Sequence, residues 1–340
     1  MRLFLITIIS LLLNSNIFSQ GCCSGGAGSP IAGGAATGVL QENQMEVSLN
    51  YQYNKSNKFF TENQDTTSLF NNLSSDYLFF RIDYGLSKKL TLSVASGYFL
   101  DKSKIGKDNS DTISSNGVGD LIIFPRYSIY NKTANFKRTA VVIGLGFKIP
   151  LGIPNDSSIS TPRSSWNPYD IYQMNPPMLQ ATNGSQDLMF NSFLFREYQK
   201  SKLRFFISSL YVKKGFNSLG IKYGDYTSFG FFASKTFFYR WGVTGQIKAE
   251  NIGQIKVANN IEEWDLLDYQ IDPTSTGSKK WFFIPQLSYS QNGLTVFLTS
   301  EIPLYQYLNG TQVGSQNQFT VGVNYRFLTK ECEDPLSPIN

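Results

Sequence analysis

Strict alternation of apolar and polar residues is the feature that most limits how this chain can fold. In "QMEVSLNYQYN", residues 44–54, Val47 and Leu49 point to one side of an extended strand and Glu46 points to the other. A period of two is typical of β-strands, because successive side chains leave opposite faces of the sheet. The alternation recurs in about twelve segments, which span residues 43–54, 76–86, 89–101, 117–130, 138–150, 186–197, 202–213, 225–237, 241–252, 279–290, 293–305 and 317–327.

The charged residues of these segments fall on the polar face wherever the two faces are clear. A Lys or Arg that faces lipid near the bilayer midplane costs about 2–4 kcal/mol, so this sorting favours strands with one face toward lipid. Three segments, 186–197, 202–213 and 225–237, carry apolar residues on both faces. The sequence does not show which face of these three segments points toward lipid.

The connections between the segments alternate between short and long. The short ones are "GLSKK", "NKTANFK", "YQKSK", "FFYR" and "SQNG", and the long ones include residues 55–75, 102–116, 151–185, 253–278 and 306–316. Outer-membrane barrels have this asymmetry, with short periplasmic turns and longer extracellular loops, whereas a soluble β-sandwich would not sort its loops in this way. We therefore predict an all-β fold, a transmembrane up-and-down antiparallel β-barrel of about twelve strands.

The first residues of the chain predict export. Arg2, an apolar run over 3–13 and a polar stretch ending near Gln20 have the layout of a signal peptide, residues 1–20. The apolar run is shorter than the roughly 20 residues of a transmembrane helix. We expect the outer membrane of a Gram-negative-type bacterium, with its lipid around the barrel. An even strand number places both termini in the periplasm, with a Gly/Ala-rich leader at 21–42, the barrel at 43–327 and a tail at 328–340.

Composition excludes several classes of function. The net charge of +5 is spread without a long basic run, so we expect no nucleic-acid partner. The chain has no histidine, the base on which lipases and proteases built on such barrels depend, so we expect no enzymatic activity and no cofactor. A carboxylate pair such as Asp83 with Glu301 could replace that base in principle, but we expect both to form structural ion pairs.

Three cysteines raise the question of what the leader does. Cys22, Cys23 and Cys332 would share the oxidising periplasm. A bond between the adjacent pair is disfavoured, because neighbouring Cα atoms lie about 3.8 Å apart and disulfides usually need about 4.4–6.8 Å. We favour a disulfide from Cys332 to one of the pair. Lipidation of Cys22, a soft-metal site of thiolates, a plain tether and a slim plug in the lumen stay open, although we expect no metal.

Several segments resemble a known family. "GVGDLIIFPRYSIY" (117–130), "GLGFKIPLG" (144–152), "PPMLQATNGSQDLMF" (176–190), "PQLSYS" and "FTVGVNYRF" are similar to segments of the outer-membrane proteins classed with the meta-pathway of phenol degradation. Gly184, Ser185 and Asp187 fit that pattern, while Ala181 and Asn183 depart from it. The resemblance spans roughly two thirds of the chain. It implies a barrel that passes small, often hydrophobic, compounds.

A passive channel or transporter for small, possibly hydrophobic, solutes is the function that these observations favour. The candidate lumen-lining residues are Glu46, Arg81, Asp83, Phe99, Asp120, Arg126, Lys148, Lys248, Glu250, Glu301 and Arg326. Their mixed signs predict internal ion-pair ladders and a modest field instead of a strong ion filter. Inward aromatic side chains such as Phe99 would either offer a path to an apolar solute or fill space.

A structural or accessory subunit of an envelope complex is the alternative. Loop 151–185, with the stretch "WNPYDIYQMNPPM", and the periplasmic ends would then dock a protein partner. Long loops of this kind often carry function or cover a pore mouth. A loop that folds into the lumen would favour selective transport, whereas a loop that projects would favour docking.

Overall fold

The computed structural model describes residues 38–107, 112–161, 163 and 169–330. The signal peptide, Cys22, Cys23 and Cys332 lie outside the described residues, so their predicted roles stay predictions.

Twelve long antiparallel strands form one closed sheet, which confirms the predicted fold class. Each strand pairs with its neighbours in sequence, and the last returns beside the first. The strands are β1 Gln44–Ser56, β2 Asn72–Gly85, β3 Leu90–Ile105, β4 Asp120–Ala134, β5 Lys137–Pro150, β6 Asp187–Tyr198, β7 Leu203–Lys213, β8 Tyr226–Phe237, β9 Trp241–Ile252, β10 Ser278–Gln291, β11 Leu294–Val313 and β12 Gln318–Leu328.

The barrel closes between β1 and β12 with an unbroken register. Met45 lies opposite Phe327, and Tyr53 lies opposite Phe319. Along β1, Leu49 is half exposed on the outside, whereas Glu46 is buried inside. The alternation of apolar and polar residues thus gives the strand an apolar outer face and a polar inner face, as contact with lipid requires.

Short turns gather at one end of the barrel, which we call the short-turn mouth, and long connections gather at the other, the long-loop mouth. The β4–β5 turn has Asn135 and Phe136 at φ 50° and 57°, and the β10–β11 turn has Asn292 and Gly293 at φ 50° and 80°. Two central residues with positive φ match the twist of a tight hairpin. The stretch "NKTANFK" is therefore mostly strand, with a turn of two residues.

Small elements crowd the long-loop mouth. They are the strands Phe59–Glu62, Gln64–Thr66, Thr112–Val118, Ser157–Thr161, Ile171–Met174, Ile221–Lys222 and Lys256–Val257, the helix Glu263–Asp268 and the 3-10 turn Pro273–Ser275. β11 continues to Val313 and pairs with Phe59–Glu62, so the predicted loop 306–316 is mostly strand. Within the described ranges, no helix has the length and apolar character needed to cross a membrane.

The structure explains the three segments whose orientation the sequence left open. Phe190 and Phe231 face outward and are nearly half exposed. On the inner face of β5 to β8, near the short-turn mouth, a second set of apolar side chains packs together and is buried. This phenylalanine cluster consists of Ala140, Val142, Phe193, Phe195, Phe206 and Phe232, joined by Val39 of the leader. Both faces are therefore apolar here because the inner face has a partner within the lumen.

Candidate functional site

The barrel encloses a cavity of about 300 Å³ in the half of the lumen nearer the long-loop mouth. Ile122 on β4, Met189 on β6 and Val212 on β7 pack together along one wall, with Leu210 and Tyr226 against them. All five side chains line the cavity. One wall of the cavity is therefore apolar and offers an apolar solute a surface to contact.

Polar side chains form the facing wall. Gln52 on β1, Gln246 and Lys248 on β9, and Glu301 on β11 line the same cavity. Lys248 Nζ lies 2.8 Å from Glu301 and 3.4 Å from Glu250. Two carboxylates thus hold one ammonium group, so its charge is neutralised locally.

A second ion-pair network lies at the rim of the cavity toward the long-loop mouth. Lys148 Nζ lies 2.6 Å from Asp120 and 2.9 Å from Asp187. Lys214 reaches the same Asp187 oxygen at 3.1 Å. The Asp187 side chain has no exposed area. Two lysines therefore share one buried carboxylate, and Lys148 also pairs with Asp120.

A third network lines part of the lumen wall near the short-turn mouth. Asp83 accepts ion pairs from Arg81 and Arg126, each at 2.8 Å. Glu46 lies 3.6 Å from Arg81 and 2.8 Å from Arg326. The network runs along the inner wall over β12, β1, β2 and β4, which is the ladder expected from charges of mixed sign.

The lumen-lining residues predicted from the sequence divide between the cavity, with its two ion-pair networks, and the network near the short-turn mouth. Lining the cavity are Phe99, Asp120, Lys148, Lys248 and Glu301. Glu250 pairs with Lys248, while the network near the short-turn mouth contains Glu46, Arg81, Asp83, Arg126 and Arg326. Their contact with a solute stays a prediction. Asp83 and Glu301, which were considered as a possible catalytic carboxylate pair, belong to different networks. Each of them forms ion pairs with basic side chains instead.

Part of the long loop between β5 and β6 folds into the lumen. Leu179 is fully buried against Phe59, Phe70 and Val313. Lys102 Nζ donates to the Gln180 carbonyl at 2.6 Å, and Ser115 Oγ donates to the Leu179 carbonyl. We call residues 175–185 the inward loop. It covers the cavity at the long-loop mouth.

The preceding part of the same connection projects instead. Tyr169 is 76% exposed and Tyr172 is 62% exposed. Tyr172 lies on the hairpin formed by Ser157–Thr161 and Ile171–Met174. The connection therefore divides into an inward segment suited to selecting solutes and an outward segment available to a partner.

The described end of the leader also lies inside the barrel, at the short-turn mouth. Val39 packs in the phenylalanine cluster, and the Leu40 N–H donates to Thr91 Oγ1 at 2.8 Å. Sequence reasoning left a plug as one alternative but named neither residue. The adjacent apolar pair Val39 and Leu40 at the end of a Gly/Ala-rich segment is the signal that points to it.

The fold is similar to that of solved outer-membrane proteins. The COG4313 outer membrane channel from Pseudomonas putida F1 shares 11% identity at a TM-score of 0.62, over 89% of this chain and 100% of that chain. The KdgM porin in complex with disordered oligogalacturonate shares 9% identity at a TM-score of 0.41, over 82% and 99%. The NanC porin shares 12% identity at a TM-score of 0.41, over 83% and 98%.

These comparisons bear on the fold alone. At 11% identity, the similarity to the COG4313 channel supports the barrel architecture. The two porins, at TM-scores of 0.41, are too different in structure to support any further conclusion. No family model and no curated protein matches the sequence. The resemblance to the meta-pathway proteins therefore stays a prediction.

Proposed function

We propose that the protein is a passive outer-membrane channel for small amphipathic or hydrophobic solutes. The observation that carries this proposal is the cavity of about 300 Å³ inside a closed barrel with an apolar exterior. The likeness in fold to a solved outer membrane channel supports it. The short-turn mouth would face the periplasm and the long-loop mouth the outside, as the predicted signal peptide and the loop asymmetry favour.

The solute class follows from the two walls of the cavity. Met189, Leu210 and Val212 would contact an apolar portion of the solute, while Gln246 and Lys248 would contact a polar portion. Each ammonium group of the two cavity networks is paired with carboxylates. The field along the path would therefore be weak, and size and amphipathic character would select the solute more than net charge.

Planar-bilayer conductance of the refolded barrel tests the channel. We expect discrete ohmic steps in KCl from the wild type. Met189→Phe, which adds volume inside the cavity, should reduce the step size, whereas Leu188→Phe on the outer face of the same strand should leave it unchanged. Silent bilayers from folded, heat-modifiable protein would contradict the proposal, as would equal effects of the two variants.

Flux into proteoliposomes tests the solute class. A small aromatic zwitterion such as phenylalanine should enter faster than a hexose, because its ring can contact the apolar wall while its two opposite charges lie near the paired Lys248 and Glu301. Val212→Ser should reduce this preference, since it removes apolar surface from the cavity. A preference unchanged by that substitution would argue against the apolar wall as the selecting element.

A docking role is a second candidate, favoured by the exposed hairpin. Tyr172 and Ile171 are 62% and 50% exposed on that hairpin. A photo-crosslinking amino acid at Tyr172, used in intact cells, would give a defined adduct with an envelope protein if the hairpin docks a partner. The same probe at Phe136, exposed at the opposite mouth, is the control.

We also propose the disulfide between Cys332 and one of the two leader cysteines. Its support is that the described ends of leader and tail meet, because the Thr329 N–H donates to the Asn43 carbonyl at 2.8 Å. Mass mapping of the non-reduced protein should find a peptide pair containing Cys332 and the segment "GCCSGG". Recovery of Cys332 as a free thiol from exported protein would contradict it.

A further inference from the structure

The cavity ends at the phenylalanine cluster. On three neighbouring strands its lining stops at Asn191, Ser208 and Gly230. Two positions farther toward the short-turn mouth, the next inward side chains are Phe193, Phe206 and Phe232, all members of the cluster and all buried. Because inward positions alternate along a strand, these rings lie next below the cavity. The cluster is therefore the floor of the cavity on this side of the barrel.

One member of the cluster differs from the rest in how it is held. Ala140, Val142, Phe193, Phe195, Phe206 and Phe232 belong to barrel strands, fixed by hydrogen bonds on both sides. Val39 belongs to the leader, ahead of β1. Val39 and Leu40 are 8% and 3% exposed. The part of the floor that can move without breaking the barrel is thus the leader segment.

The chain is shaped to bring the leader back into the mouth. Gly38 and Asn43 adopt φ 79° and 58°, the left-handed conformation that turns the backbone sharply. At the end of β2, a side chain in place of Gly85 would collide with the carbonyl oxygen of Gln41. A β-carbon on Gly38 would lie 2.7 Å from Val142 Cγ2. Glycine is therefore required both where the leader enters and where it packs.

We propose that Gly38–Leu40 is a displaceable plug, docked on the phenylalanine cluster, and that its release opens the cavity toward the short-turn mouth. This inference rests on the proposed channel function. The occupant of the cluster is the chain's own leader, and its contacts include two buried apolar side chains and a backbone hydrogen bond from Leu40 to Thr91. Release would expose phenyl rings to the lumen, so the docked state is the resting state.

A reversible cross-link tests both docking and gating. In a background with Cys22, Cys23 and Cys332 changed to Ser, we would introduce Gly38→Cys with Val142→Cys. The β-carbons at these positions lie 3.5 Å apart, at the short end of the disulfide range of about 3.5–4.5 Å. The pair should oxidise spontaneously in the folded barrel. The oxidised form should conduct poorly, and reductant should raise the conductance of the same molecules severalfold.

Two further variants test the plug without any substitution at Gly38. Deletion of residues 21–40 behind the signal peptide should give the conductance of the released state. Val39→Ser with Leu40→Ser should give frequent opening steps. Glu42→Ser, a truncation of an exposed side chain in the same segment, should behave as the wild type.

The outcomes separate the plug from the channel. Absence of the cross-link in heat-modifiable, folded protein, together with wild-type conductance in Val39→Ser with Leu40→Ser, would overturn the docking itself. A cross-link that forms, with equal conductance in both redox states and in the deletion variant, would overturn the gating role while the channel stands. A cross-link that forms while every variant is silent would overturn the channel function, and the gating proposal with it.

Discussion

The two mouths of this barrel are covered in different ways. At the long-loop mouth, the inward loop is fixed by polar contacts to Lys102, Ser115 and Asp120 in addition to the packing of Leu179. At the short-turn mouth, the described end of the leader is held by the burial of Val39 and Leu40 and by the hydrogen bond from Leu40 to Thr91. A hydrogen bond to a charged group contributes about 1.5–3 kcal/mol. The inward loop therefore has two such hydrogen bonds, with Lys102 and Asp120. The described end of the leader instead has two apolar side chains, worth about 1.5–3 kcal/mol each, and a neutral hydrogen bond to Thr91.

Connectivity widens this difference. The inward loop is joined to a barrel strand at each end, β5 and β6, so it regains limited freedom when its contacts break. The leader is joined directly to a barrel strand at β1 alone, so once the proposed disulfide to Cys332 is reduced it regains more conformational entropy on release. A segment that covers a mouth can therefore be either a fixed part of the fold or a part that is released without unfolding of the barrel. We expect opening at the short-turn mouth while the long-loop mouth keeps its shape.

Removing the shared carboxylate should break the long-loop mouth most severely. Asp187→Asn removes the carboxylate that contacts Lys214 and leaves Lys148 with Asp120 alone, in a buried place. Breaking a buried ion pair costs about 3–5 kcal/mol. We expect a loss of that order in the free energy of unfolding from vesicles in urea. Asp65→Asn, at an exposed position of the same mouth, is the control and should change little.

The same substitution at the two mouths gives the sharpest comparison. Leu179 and Leu40 are both buried, at 0% and 3% exposure. Leu179→Ala should lower the free energy of unfolding by about 2–5 kcal/mol, because the inward loop is part of the cooperative fold. Leu40→Ala should leave the thermal gel-shift midpoint of the barrel unchanged and raise the frequency of opening. Equal losses of stability would show that leader and barrel unfold as one unit.

Loosening one polar contact should have a smaller and local effect. Lys102→Met removes the donor to the Gln180 carbonyl. We expect about 1.5–3 kcal/mol less protection for residues 176–185, measured by hydrogen exchange, with the strands unaffected. Lys107→Met, at an exposed position just after β3, should leave the exchange rates as they are. Unchanged exchange rates in Lys102→Met would show that this hydrogen bond does not stabilise the inward loop.

An exposed ion pair should matter least. Glu197 and Arg204 face each other near the short-turn mouth at 3.2 Å, with side chains 21% and 33% exposed. Pairs of this kind contribute about 0.2–1 kcal/mol because water screens them. Glu197→Gln should change the free energy of unfolding by no more than that and should leave conductance unaltered. A larger effect would mean that this rim is coupled to the phenylalanine cluster.

Much of the candidate site could be predicted from the sequence, strand by strand. Arg81, Lys148 and Lys248 alternate with apolar neighbours, so their face followed from the period of two and the cost of charge in lipid. Their partners did not follow. Arg326 pairs with Glu46, a residue 280 positions away, and that pairing exists because the closed barrel brings β12 beside β1.

The sequence by itself determined the strands, their faces and the alternation of short and long connections, because these depend on local period and turn chemistry. It left β6, β7 and β8 unassigned, since Phe193 and Phe206 look like lipid-facing residues until a partner inside the lumen is known. Tertiary structure alone decided that Val39 is that partner and that Leu179 turns inward. Both are contacts between a segment outside the strands and a distant wall, which no local pattern encodes.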